Sequence, residues 1–207
     1  MKIYDISMKI HQNMAVYKNK EEKRPRLEIL RDYQESDAYE SRITLEMHTG
    51  THLDMPLHMI KDGKTIDMLE LKKVVRYCKV LDFSMVSEKI SRIDLEQKEI
   101  ERGDFLLFKT KNSLSEEFEP DFVYLDALGA AYLKEMGVEG VGIDALGIER
   151  AQPGHETHKI LLEAEIVIVE GLRLRAIEEG EYFLFAAPLL IGEAEAAPIR
   201  ALLLEDL

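Results

Sequence analysis

The stretch HTGTHLDMPLH, residues 48–58, gathers His48, His52, Asp54 and His58 into eleven positions of a chain with only six histidines. Imidazole nitrogens and a carboxylate oxygen suit zinc or manganese, whereas a thiolate-seeking ion would call for cysteine. His48 and His52 are four apart, the spacing a helical zinc site uses. Gly50, its two flanking threonines and the nearby Pro56 argue against a helix. A strand running into a bent loop is the better backbone, with Gly50 allowing the turn that folds both imidazoles toward one point. A lone histidine on a strand face is usually an ordinary hydrogen-bonded polar residue. Three of them with an aspartate among them point to a metal site.

A second group lies a hundred residues on. His155 and His158 occur in PGHETHKILLEAEIVIVEGL, and Glu170 follows the apolar run IVIV. A carboxylate there heads for a buried strand, where it needs a cation or strong hydrogen bonds. Arg173 or Arg175 could supply a structural ion pair, and a metal ion is the sharper alternative. His11 reads as a surface histidine. Cys78, the single cysteine, lies in the apolar run VVRYCKVLDF and reads as a small buried hydrophobe.

The elements that must position these groups follow from hydrophobic periodicity. Residues 1–10 alternate as a first strand. The charge run YKNKEEKRPR reads as a solvated loop. Residues 41–48 alternate as a half-buried strand that delivers His48 at its end on the polar face. Val74–Phe83 and Asp104–Thr110 read as strands, and DLEQKEIER as a helix start with Asp94 as N-cap. Leu125–Met136 reads as an amphipathic helix closed by Gly137. VEGVGIDALGI, IVIVEGL and EYFLFAAPLLI read as strands, with a helix in HETHKILLEAE. Without repeats or a composition break, residues 1–207 are expected to form one mixed α/β domain.

Composition excludes other classes. A net charge of −13, from 27 basic and 40 acidic residues, opposes phosphate-backbone binding, so no nucleic-acid partner is expected. No stretch approaches the ~18 apolar residues of a membrane span, and the cytoplasm is the expected compartment. The chain has no G-x-S-x-G elbow for a nucleophilic hydrolase.

The pattern H-x-G-T-H-x-D-x-P-x-H resembles the signature of the cyclase family of metal-dependent hydrolases, which includes bacterial kynurenine formamidases and isatin hydrolases. The opening IYDIS, the segments GVEGVGID, HKILL…IVEGL and EYFLFAAPLLI, and the closing APIRALLL resemble that family in the same order. The resemblance implies a mixed α/β swivelling β/β/α fold and a homo-oligomer, a dimer or tetramer. It also implies two divalent metal ions per subunit, zinc before manganese. His48, His52 and Asp54 match ligands of the first, with Asp54 bridging. His158 and Glu170 match ligands of the second, Glu170 being the other bridge. His58 matches the general acid/base, which moves a proton from the attacking water to the leaving nitrogen.

The activity so implied is hydrolysis of an amide C–N bond in a small-molecule substrate, with N-formylkynurenine as the leading candidate. Two departures bear on that substrate. Where kynurenine formamidases carry a segment like PVWPGD with a stacking tryptophan, this chain reads AVYKNKEEKRP and has no tryptophan, leaving Tyr17 as the nearest aromatic. Tyr17 is either a stacking residue or an ordinary packed tyrosine. In GIDALGIE, Gly147 stands where relatives have serine and Glu149 supplies the acid, while Asp144 is a candidate to orient ligands. Cyclic-amide or lactone hydrolysis of the isatin hydrolase type is the enzymatic alternative. A non-catalytic metal-binding protein is the alternative of another class.

Overall fold

Apolar runs without a polar break fit strands buried on both faces, and three of the four parallel strands of this fold are of that kind. The structure, a computed structural model, describes residues 1–206. Strand β1 (Lys2–Asp5) precedes a ribbon of β2 (Arg26–Arg31) and β3 (Glu40–Thr44), and β4 (His52–Asp54) then carries the centre of the histidine motif. After it come β5 (Val75–Asp82), β6 (Lys89–Ile90), the single-turn α1 (Arg92–Leu95), β7 (Phe105–Lys109) and β8 (Tyr124–Leu125). The last part of the chain holds α2 (Ala127–Met136), β9 (Gly140–Ile143), α3 (Glu156–Glu163), β10 (Val167–Glu170), β11 (Gly180–Phe185), β12 (Ala196–Pro198) and β13 (Leu202–Glu205).

Nine strands form one sheet in the order β1-β13-β11-β5-β7-β9-β10-β4-β12. The run β5-β7-β9-β10 is parallel, and the other neighbours are antiparallel. Alternation along β7 shows how the faces divide. Phe105 and Leu107 enter a core with Leu53, Val80, Val169 and Leu203, while Leu106 and Phe108 enter a second core with Ile143, Ile168, Leu133 and Leu161. The first core holds side chains from both ends of the strand order, Leu203 beside β1 and Ala197 in β12, so the sheet curls upon itself. The second core lies beneath α2 and α3. This is the mixed α/β fold expected of the cyclase family.

Three local expectations are corrected. The strand expected over residues 41–48 ends at Thr44, is exposed along its whole length, and leaves His48 in a turn. Its alternation belongs to the β2–β3 ribbon, whose apolar face does not meet the core. Asp94 is not an N-cap: Ser91 caps α1, and Asp94 closes the capping box by accepting from the Ser91 N–H at 2.8 Å. Asp144 does not touch the histidine motif. Its carboxylate accepts from the Thr110 and Ser113 hydroxyls at 2.7 and 2.5 Å and so anchors the turn after β7. Cys78 is buried with its thiol pushed up to about 12 by burial, and His11 is exposed.

Candidate metal centre

Strand geometry assembles the first part of the centre. Side chains two apart share a face, so His52 and Asp54 point the same way from β4. Antiparallel pairing sets Glu170 of β10 directly opposite His52, on that same face. The short β4 is held between β10 and β12 and is fully buried. Its entry is fixed by two glycines back to back. Gly50 (φ 66°) and Gly171 (φ 71°) both take left-handed backbone, and a Cβ on Gly171 would run into the Gly50 carbonyl oxygen. Thr51 clasps the turn: its hydroxyl donates to the Gly171 carbonyl and accepts from the Met8 N–H, each at 2.6 Å.

The other groups arrive from separate elements. His158 lies in the first turn of α3, and with Leu161 and Leu162 forms the buried stripe of that helix. His58 ends a 3-10 turn, Pro56–His58, that begins with proline. Its ring centroid lies 4.2 Å from that of His48 and 5.6 Å from that of His158. All six matched positions therefore meet in one place.

Asp54 Oδ1 lies 3.0 Å from His48 Nδ1 and 3.5 Å from His52 Nε2, and Asp54 Oδ2 lies 3.8 Å from His158 Nε2. Glu170 stands between two imidazoles, Oε2 3.4 Å from His52 Nε2 and Oε1 3.3 Å from His158 Nε2. Glu170 Oε1 also accepts from the Ile148 N–H at 2.5 Å. Glu170 thus pairs with neither Arg173 nor Arg175. Burial disfavours the charged forms, but the carboxylates outweigh it and push His52 up to about 9 and His158 up to about 10. Burial likewise opposes ionisation of Glu170, which His158 and His52 nevertheless hold well below the usual carboxylate range.

Whether a metal ion suits these residues can be tested on their unmet bonds. His52 Nε2 and both oxygens of Asp54 are buried with no hydrogen-bond partner of acceptable geometry. Leaving such groups unpaired costs about 1–3 kcal/mol each, more when charged. The donors of His52, Asp54 and Glu170 lie within 4.8 Å of one another, as do those of His48, Asp54 and His58. Nitrogen and oxygen donors around unsatisfied carboxylate oxygens fit a divalent cation.

Two carboxylates outside the eleven-residue motif reach histidines of the centre, one on each side. Glu149, 3% exposed, lies 2.6 Å from His158 Nδ1 and 3.1 Å from His155 Nδ1. Glu195 Oε1 lies 3.4 Å from His48 Nε2. Tyr17 is half-buried at the rim, its ring edge-on to Phe118 at 5.3 Å and to Phe122 at 6.5 Å. Burial and the Glu170 and Glu149 charges raise its phenol pKa.

Comparison with known proteins shows the family and the fold. A kynurenine formamidase from Salinibacter ruber is 33% identical over 208 residues, spanning 98% of this chain and 97% of that protein. A solved structure described as a potential metal-dependent hydrolase with cyclase activity is 46% identical and superposes with TM-score 0.91 over 98% of this chain and 96% of its own. Isatin hydrolase A from Ralstonia solanacearum shares the fold at TM-score 0.86 with 21% identity, over 99% of this chain and 92% of its own. The Cyclase family model matches residues 4–150, and the chain belongs to the Cyclase family.

Proposed function

We propose that this protein is a metal-dependent hydrolase that cleaves an amide C–N bond in a small molecule, with N-formylkynurenine as the first substrate to test. The observation that carries the reading is the buried convergence of His48, His52, Asp54, His158 and Glu170 around polar atoms that none of the described residues satisfies. Relatives named kynurenine formamidase support the choice of substrate. In this reading those five residues would hold two divalent ions, zinc before manganese. When bound, such ions supply Lewis acidity that activates water near neutral pH and polarises a carbonyl.

The remaining steps belong to side chains. Burial lowers the His58 pKa, with the nearby His48 and His158 adding to the effect against the pull of Asp54, so the imidazole is neutral and able to accept a proton at pH 7. It takes the proton of the attacking water and returns it to the leaving nitrogen, giving a carboxylate and an amine. With a formamide, the carboxylate is formate. Tyr17, braced by Phe118 and Phe122, offers an aromatic edge to a ring-bearing substrate.

Metal quantification on the purified protein, with hydrolysis assays on N-formylkynurenine, other N-formyl anilines, isatin and small lactones, tests this. Turnover of formyl anilines with metal bound supports it. Turnover of isatin or lactones alone replaces it with the cyclic-amide reading. Stoichiometric metal without turnover of any of these compounds favours the non-catalytic one.

A further inference from the structure

Each histidine placed among the ligands has one nitrogen turned toward the carboxylates and the other turned to a separate acceptor. His52 Nδ1 lies 2.9 Å from the Gly50 carbonyl oxygen, which leaves Nε2 facing Asp54 and Glu170. His158 is arranged the same way, with Nδ1 2.6 Å from Glu149 Oε1 and Nε2 facing Asp54 Oδ2 and Glu170 Oε1. His48 is reversed. Its Nδ1 is the nitrogen beside Asp54, at 3.0 Å, and its Nε2 lies 3.4 Å from Glu195 Oε1. A neutral imidazole that donates from one nitrogen presents its lone pair on the other, so the outward acceptor decides which nitrogen can bind an ion.

Glu149 is the best defined of these acceptors. Besides the two imidazoles on Oε1, its Oε2 accepts from the Thr157 N–H at 3.1 Å. Three donors hold the carboxylate in place. Thr157 and His158 are both in α3, so the bonds fix the carboxylate to the helix that carries the ligand as well as to its ring. His155, just before that helix, adopts φ 49°, a left-handed conformation that costs a non-glycine residue energy and here places the third donor.

Resting on the metal-dependent reading above, we propose that Glu149 is a positioning residue that makes His158 a ligand through Nε2, and that Glu195 does the same for His48 in the opposite sense, through Nδ1. A carboxylate behind a ligating histidine fixes its tautomer and raises its basicity, and removing one lowers metal affinity by about 10- to 100-fold.

The test compares wild type with Glu149→Ala, Glu149→Gln and Glu195→Gln, all loaded with zinc. Bound zinc is measured against graded chelator, and histidine 15N spectra report which ring nitrogens carry metal. Glu149→Ala is expected to release one of its two ions at about 10- to 100-fold lower chelator strength. Glu149→Gln, which keeps an acceptor oxygen without the charge, should fall between it and wild type. Glu195→Gln should show a smaller shift, since Glu195 is part-exposed and its contact is longer. The spectra should show His52 and His158 bound through Nε2 and His48 through Nδ1. Circular dichroism and urea midpoints identify a variant that has merely unfolded, in which case Glu149→Gln carries the comparison. Wild-type chelator resistance in folded Glu149→Ala overturns the proposal, as does His158 bound through Nδ1. Wild-type protein that takes up no zinc instead overturns the metal-dependent reading beneath it, a result visible before any variant is made.

Discussion

At the scale of single residues, the proposed centre divides holding from proton transfer, and the two roles separate by substitution. His58→Ala should keep its metal and lose about 10²- to 10⁴-fold in turnover, the range for a positioned general acid or base. His48→Ala and Asp54→Ala should lose metal as well as activity, measured by metal analysis beside the assay. The ligands also set a pH dependence. Without metal, His52 and His158 keep their protons up to about 9 and about 10, so an ion must displace them. Zinc affinity should therefore rise with pH between about 6 and 9, with protons released on binding, which calorimetry in buffers of different ionisation enthalpy would detect. An affinity that is flat across that window would count against His52 and His158 as ligands. How far this residue-level picture can be read from sequence differs by residue. His48, His52 and Asp54 lie close together along the chain, and Glu170 stands out as a charge at the end of an apolar run. Glu149 stands out only through the family resemblance at GIDALGIE, since its own polar surroundings, GIERAQ, resemble any surface loop. Its burial comes from α3 closing over it, a tertiary event.

At the scale of elements, the centre depends on two backbone turns that only glycine fills without strain. Gly171→Ala would set a Cβ against the Gly50 carbonyl oxygen at a positive φ. It should cost about 1–3 kcal/mol and displace β4 relative to β10, seen as a lowered urea midpoint together with weaker zinc retention. The parallel strands and α2 were legible because long apolar runs and a full amphipathic helix carry clear periodicity. β4 was harder to read, since three residues, His-Leu-Asp, are too few to show a period. The misread strand at residues 41–48 has the opposite lesson. Its alternation of Ile43, Leu45 and Met47 is real, but an apolar face does not say which surface it meets. In the ribbon, Leu27 lies opposite Ile43, and the two are 53% and 50% exposed.

At the scale of the whole molecule, that bare face bears on assembly. Leu27, Ile29 and Ile43 are exposed on one side of the ribbon, while Glu28 and Arg42 pair across the other. Exposed apolar patches are uncommon on monomers and mark contact surfaces. We expect a homo-oligomer, dimer or tetramer, with Leu27→Glu/Ile43→Glu shifting it toward monomer in light scattering. A monomeric wild type would sink this expectation. The centre also joins distant parts of the chain, since His52 and Glu170 face each other across β4 and β10 but lie more than a hundred residues apart. Closing so long a loop costs chain entropy, so we expect the seam to form late in folding. On the metal-dependent reading, a bound ion would act as a late rivet, absent from the barrier to folding and present once the sheet has curled. Zinc should accordingly leave the refolding rate nearly unchanged and slow unfolding, so that the loaded protein outlasts the bare one chiefly in time.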